Sequence, residues 1–266
     1  MITSIINNRL SVRVSGRACL FFTLLFCILS GATIKSFSQT PVNTAATPTP
    51  VGTSKIWGVV DGVSIEGIVQ GPATEVAPLQ VACVFEYTEG DIFTPPALPA
   101  ESNGMVHLDK ALNGLITDIR RNGKFSGHAL DTILIIPPKG AISASRLLLI
   151  GLGDRNAFHP DLMKKVGVVS MRESLRLGVS HYAFAEDIKD GGIASPTAEV
   201  AGNVVRGALS AYRTQNYLKA KGMASFTPLT KLSMLAGMNF FNDAGEGIKA
   251  AISEFQSENA SSLNNK

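Results

Sequence analysis

The chain has 266 residues, with 24 Lys+Arg against 21 Asp+Glu, 45% apolar and 17% charged residues, and a mean hydropathy of +0.20. This composition excludes a disordered or collagen-like chain and suffices for one or two globular domains with a sizeable core. The formal charge of +3 would suit an acidic partner, but its position along the chain argues otherwise.

Arg9, Arg13 and Arg17 precede the apolar run Ala18–Leu29, and the small and polar stretch Ser30–Ser38 follows it. Residues 1–38 therefore read as a secretory signal peptide with a basic, an apolar and a cleavage region. The apolar run of 12 residues is about 18 Å long as a helix, too short for a hydrocarbon core of about 30 Å. Cleavage after Ser38 would leave Gln39 at the N-terminus. The expected location is secreted or periplasmic, with membrane contact only during export. Removing this segment removes four basic side chains (Arg9, Arg13, Arg17, Lys35) and no acidic one, so 20 basic side chains face 21 acidic ones. A mature charge near −1 recommends no nucleic-acid partner. Two of the three cysteines leave with the signal, so Cys83 has no intramolecular disulfide partner and reads as a small buried apolar residue.

Residues 39–54 are rich in Thr, Pro and Ala and read as a flexible linker. A single domain is expected over residues 55–256. Asp61-Gly62 suits the turn of an N-terminal hairpin. Ser64–Gln70, Leu79–Glu86, Thr132–Ile136, Arg146–Gly151, Val179–Ala185 and Leu229–Leu235 have the length and composition of strands, several of them apolar throughout and so covered on both faces. Leu108, Ala111, Leu112, Leu115, Ile116 and Ile119 predict one helix, stopped by Asn122-Gly123. A second is expected over Asp161–Leu177, ended by Gly178. A third opens with Ser195 as N-cap and Pro196 as its first residue, and its buried stripe runs from Ala201 to Tyr212. Ile248, Ala251, Ile252 and Phe255 mark a fourth, and residues 257–266 read as a polar, frayed tail. Strands alternating with helices predict an α/β fold: a three-layer sandwich around a mixed, mostly parallel sheet.

Motifs that carry chemistry are sparse. His107, His128, His159 and His181 have no paired metal-ligand spacing, and there is no Cys-x-x-Cys, Gly-x-Ser-x-Gly or Walker sequence. Gly151, Leu152, Gly153 and Asp154 follow a strong strand, and their backbone amides are the candidate ligand site, facing an oxyanion as a phosphate loop does. A plain strand-to-helix turn is the alternative reading. Glu186, Asp187, Asp190 and Gly191-Gly192 read as a solvated acidic loop, at most a weak calcium site. Arg120, Arg121 and Lys124 read as cations complementing a helix C-terminus. No catalytic or metal-ligating residue is assigned.

Leu147–Asp154, with its strand ending in Gly-Leu-Gly, and Ala201–Arg213, a helix running into an aromatic-basic stretch, together resemble the N-terminal domain of the leucyl aminopeptidase (cytosol aminopeptidase) family. The resemblance spans about Ile65 to Phe255 and implies a macro-domain-like α/β fold. It implies that catalysis in the family belongs to a second, C-terminal domain, where two divalent ions such as Zn or Mn activate water. Asp243-Ala244-Gly245-Glu246-Gly247 lacks the order of that domain's metal-binding segment, so no ligand is carried over and no cofactor is expected. Three functions are expected in turn. The first is an exported, non-catalytic binding or assembly module with a protein partner or self-association. The others are a metal-dependent aminopeptidase completed by a separate catalytic chain, and a macro-like binder of a nucleotide or phosphate ligand.

Overall fold

The structure, a computed structural model, describes residues 47–264, with side chains to residue 258, so the expected signal peptide and half of the expected linker lie outside the described residues. The seven strands are β1 (Ser54–Val60), β2 (Val63–Val69), β3 (Gln80–Val84), β4 (Thr132–Ile135), β5 (Leu147–Gly151), β6 (His181–Phe184) and β7 (Lys231–Ala236). They form one sheet in the order β1-β2-β7-β6-β3-β5-β4, with antiparallel pairs only at its two edges, β1 with β2 and β4 with β5. The helices are α1 (Gly104–Ala111), α2 (Leu115–Arg121), α3 (Leu162–Arg176), α4 (Thr197–Ala220) and α5 (Phe241–Asn264).

Alternation along the strands builds the three layers. Val81 and Cys83 point to one face, where α3, α4 and α5 bury Val166, Val204 and Ile248 against them. Ala82 and Val84 point to the other, where α1 and α2 contribute Leu108, Ile116 and Ile119. Successive side chains of a strand alternate faces, so β3 and β5, buried at every position, are apolar but for Gln80 at the start of β3 and Gly151 at the end of β5. The expected α/β three-layer architecture with a mixed, mostly parallel sheet is the observed one.

All six expected strands lie in the sheet, and β1 adds a seventh at the edge. Asp61 and Gly62 close the hairpin, both at positive φ (51° and 84°) as a two-residue turn of this kind requires. The expected linker is shorter than its sequence suggests. Thr49 N–H donates to the Met238 carbonyl and Gly52 N–H to that of Val69, so this stretch already belongs to the folded body.

Three helix expectations are corrected. The single helix through Leu108–Ile119 is two, because Asn113 and Gly114 both adopt positive φ (56° and 80°). The buried Asp109 carboxylate then caps the second, accepting from the Thr117 amide at 3.1 Å and its hydroxyl at 2.7 Å. Helix α4 starts one residue late, with Pro196 in the capping position and no side-chain cap from Ser195. Helix α5 continues through Asn264, so the expected frayed tail is helical beyond Gln256.

Candidate functional site

The chain leaves β3 and β6, which are neighbours in the sheet, in opposite directions. From β3 it passes through α1 and α2 to the β4 edge on one face, and from β6 through α4 to β7 on the other. The crevice outside the carboxyl ends of such strands is where open α/β sheets take ligands. A cavity of about 490 Å³ lies here, walled by Val69–Pro72 after β2, Ala185–Asp190 after β6, Leu235–Phe240 at the end of β7, and Gly104 and His107 of α1. Its size is in the range of small-molecule sites.

Asn103, wholly buried, assembles this corner. Its Oδ1 accepts from the Val106 amide and caps α1, while its Nδ2 donates to the carbonyls of Ile92 (3.1 Å) and Asp190 (3.0 Å). One amide side chain thus joins the loop after β3, the loop after β6 and the start of α1.

The loop after β6 carries three carboxyl groups into the cavity wall. It is not the solvated loop its composition suggests. Asp190 is 8% exposed, and Ile188, 2% exposed, anchors the loop in the core between the acidic residues. Asp187 Oδ2 accepts from the Cys83 amide at 3.0 Å, and Asp190 Oδ2 from the Met105 amide at 2.9 Å. Burial pushes both aspartates above the usual carboxylate range. Asp187 is raised further by the neighbouring Asp190 carboxylate, which disfavours a second negative charge beside it. Burial also lifts Glu186 to about 8, against a smaller opposing effect of Lys189.

A carboxyl raised in the folded state binds protons that the unfolded chain has already lost, so unfolding is favoured as pH rises. Between about 4.5, the ordinary value of Glu186, and about 8, its folded value, thermal stability should therefore decline. Glu186→Gln should flatten that decline, as read from melting curves across this range. Equal slopes for the two proteins would contradict the assignment.

The expected ligand residues Gly151, Leu152, Gly153 and Asp154 lie at the end of β5, and none of them lines this cavity. Their geometry has an internal explanation. The amides of Gly151, Leu152 and Gly153 donate to the carbonyls of Asp131, Val84 and Gly127. A Cβ on Gly151 would overlap the backbone of Gly127 and His128, which crosses there. Asp154 caps the short 3-10 turn Arg155–Ala157 through the Asn156 amide.

Two arginines outside the cavity lining meet one buried carboxylate. Arg120, expected as a surface cation, is buried with Asp91, their side chains 1% and 2% exposed. Arg155, next to the Gly-Leu-Gly-Asp segment, approaches the same Asp91 carboxylate at 3.2 Å and donates to the Gly191 carbonyl at 3.2 Å. The available signal was positional, since Arg120 falls on the helical stripe of Ile116 and Ile119. Elsewhere, exposed His128 meets Glu86 at 2.7 Å, and Glu86 together with this hydrogen bond raises the imidazole.

The two-metal chemistry implied by the resemblance does not fit these residues. Among the described residues no group of three or more His, Cys, Asp or Glu side chains is placed to hold a metal ion. The aspartates of the crevice are committed to backbone amides. In Asp243–Gly247, Gly245 packs under Trp57 and Glu246 pairs with Lys249. Cys83 is buried, and burial, then Asp187 and Glu186, push its thiol well up, so it stays protonated and unreactive.

An α/β domain with a switch-point crevice is a class shared by many activities; comparison with known proteins narrows it. The profile of the cytosol aminopeptidase family, N-terminal domain, matches residues 88–221, half of the chain. The chain belongs to that family through its N-terminal domain. A probable cytosol aminopeptidase of Roseiflexus castenholzii is 31% identical over 142 residues, 53% of this chain and 28% of the relative. One from Persephonella marina is 26% identical over 156 residues, 57% of this chain and 30% of the relative. The aligned region thus spans under a third of these relatives. Among solved structures, a tomato leucine aminopeptidase variant shares the fold, with a TM-score of 0.51 and 20% identity over 73% of this chain and 36% of that one. An Oceanobacillus iheyensis macrodomain aligns with a TM-score of 0.48 and 15% identity over 76% of this chain and 98% of the other.

Proposed function

We propose that this protein is an exported, non-catalytic binding module built on the aminopeptidase N-terminal domain, and that the crevice at the carboxyl ends of β2, β6 and β7 is its ligand site. The observation that carries this reading is the cavity of about 490 Å³ at the switch point, walled by apolar side chains and a few convergent polar ones. The matched segment is the N-terminal domain, and the resemblance places the peptidase chemistry in another. Export rests on the layout of residues 1–38.

The purified protein with manganese or zinc should not turn over leucyl-p-nitroanilide, while a library of small fragments should shift backbone amide resonances around Gln70, Ala185 and Gly237. Turnover abolished by chelation would replace this reading with the peptidase. Mass spectrometry of the exported protein should find Gln39 at its N-terminus.

Self-association is the second use we propose, and the edge strand β4 supports it. Leu134 in this strand and Ile136 just past its end are 37% and 77% exposed, and an apolar edge with free backbone groups is a template for a second copy. Sedimentation velocity should detect a concentration-dependent dimer that Ile136→Lys abolishes. A monomer at every concentration would dismiss this use.

A further inference from the structure

We propose that the crevice takes a small organic cation, an alkylammonium whose apolar body lies against Val69, Leu235 and Phe240 and whose ammonium group meets the Glu186 carboxylate. This rests on the reading of the crevice as the binding site and adds the class of its ligand.

The three carboxyl groups of the wall do different jobs. Asp187 and Asp190 hold the loop in place, each accepting a backbone amide. Glu186 is the uncommitted one: among the described residues it accepts no hydrogen bond, although it lines the cavity. The cation nearest it is engaged elsewhere, since Lys189 Nζ donates to the Ser195 carbonyl at 2.7 Å and lies 5.1 Å from the Phe240 ring centre. A half-buried carboxyl group lacking a hydrogen-bonded counter-ion is stabilised most by a cation that can reach it. The Val69, Leu235 and Phe240 side chains supply the apolar surface that such a ligand would cover.

An anion is disfavoured by the same geometry. The N-terminus of α1 opens toward the cavity, and a helix N-terminus ordinarily suits phosphate. Here the protein has filled it with its own groups: Asp190 Oδ2 takes the Met105 amide and Asn103 Oδ1 the Val106 amide. A phosphate placed there would meet a carboxylate in place of free amides.

Binding exchanges one proton for one cation: the ammonium enters, the Glu186 proton leaves to solvent, and the carboxylate and ammonium remain paired. The other titratable groups facing the cavity are Asp187, Lys189 and Asp190 of the same loop, His107 of α1 and Glu101 at the rim, with Cys83 of β3 behind. Because Glu186 is protonated below about 8, affinity should rise by about tenfold per pH unit up to that value and then level off.

Calorimetric titration of the purified protein with n-butylammonium, n-butyrate and inorganic phosphate tests this, with amide resonances reporting where each probe binds. Butylammonium should bind in the crevice with buffer-dependent heat marking proton release, and the two anions should not. Glu186→Gln should weaken butylammonium at least tenfold and remove the proton release. Should that variant fail to fold, the proton release of the unsubstituted protein decides alone. Unchanged affinity in a folded Glu186→Gln protein, binding without proton release below pH 8, or an anion binding in the crevice in place of the cation would overturn the ligand class while leaving the crevice as a site. Failure of every probe and of the fragment library to perturb the crevice would overturn both.

Discussion

Asp91→Ala should cost about 3–5 kcal/mol of folding stability in denaturant melts, the range for removing one partner of a buried ion pair. Asp91 and Arg120 are almost wholly enclosed, and Arg155 reaches the same carboxylate. Without Asp91, two guanidinium groups would share a buried site whose remaining acceptors are neutral backbone carbonyls, those of Phe85 and Ile116 for Arg120 and of Gly191 for Arg155. The double variant Asp91→Ala, Arg120→Met should recover much of the loss, because an apolar side chain of similar length needs no counter-ion. A cost under about 0.5 kcal/mol, the level of ordinary surface changes, would show that the charges are not enclosed as described. The network also bears on the crevice. Arg155 donates to the Gly191 carbonyl, so loss of Asp91 should broaden the amide resonances of residues 186–192 before the protein unfolds.

Gly207→Ala should destabilise the protein by about 2 kcal/mol or more, although glycine to alanine within a helix ordinarily gains about 1 kcal/mol. The reversal comes from the crossing of α3 and α4. A Cβ on Gly207 would overlap the Lys164 carbonyl oxygen and lie 3.0 Å from the Val168 amide nitrogen. Gly167 faces back in the same way, toward the Val204 carbonyl and the Ala208 amide. Both obstacles are helical backbone, so the helices would have to separate along the large core they cover. Overpacking of this kind costs about 1–3 kcal/mol, occasionally more. Ser210→Ala, on the exposed side of α4, is the control and should stay within about 0.5 kcal/mol. A Gly207→Ala protein as stable as its parent would mean that the helices do not approach this closely.

Much of the frame was readable because it depends on local periodicity. The run around Leu148 is a strand since consecutive apolar residues in a short segment suit a sheet position covered from both sides, whereas the run around Ile133, expected to be covered likewise, is a strand at the exposed edge of the sheet. Asp61-Gly62 made the hairpin because few residue pairs tolerate two positive φ values. Where the reading erred locally, two constraints competed. The apolar stripe from Leu108 to Ile119 is continuous, but Asn113 and Gly114 can leave the helical region at little cost, and the Asp109 cap rewards the break.

The functional region was readable only in part, and for a different reason. Gly151–Asp154 drew attention because glycines after a strand resemble a phosphate loop; the structure spends them on a backbone crossing at Gly127 and His128. The acidic residues after β6 and Arg120 had charges that suggest solvent, yet Asp190 and Arg120 are buried and Glu186 and Asp187 half-buried. Whether a charge is buried depends on what folds over it, and here the covering groups come from β3, α1 and the loop at Asp91, up to about a hundred residues away in the chain. The sequence alone therefore determined the α/β class and most of the strand positions, which follow from side-chain periodicity and turn chemistry, and the family likeness, which rests on the segments Leu147–Asp154 and Ala201–Arg213. Only the tertiary structure decided that the crevice lies at the carboxyl ends of β2, β6 and β7, that Asp190 occupies the helix N-terminus, and that Glu186 is left facing the cavity, because each is set by residues distant in sequence.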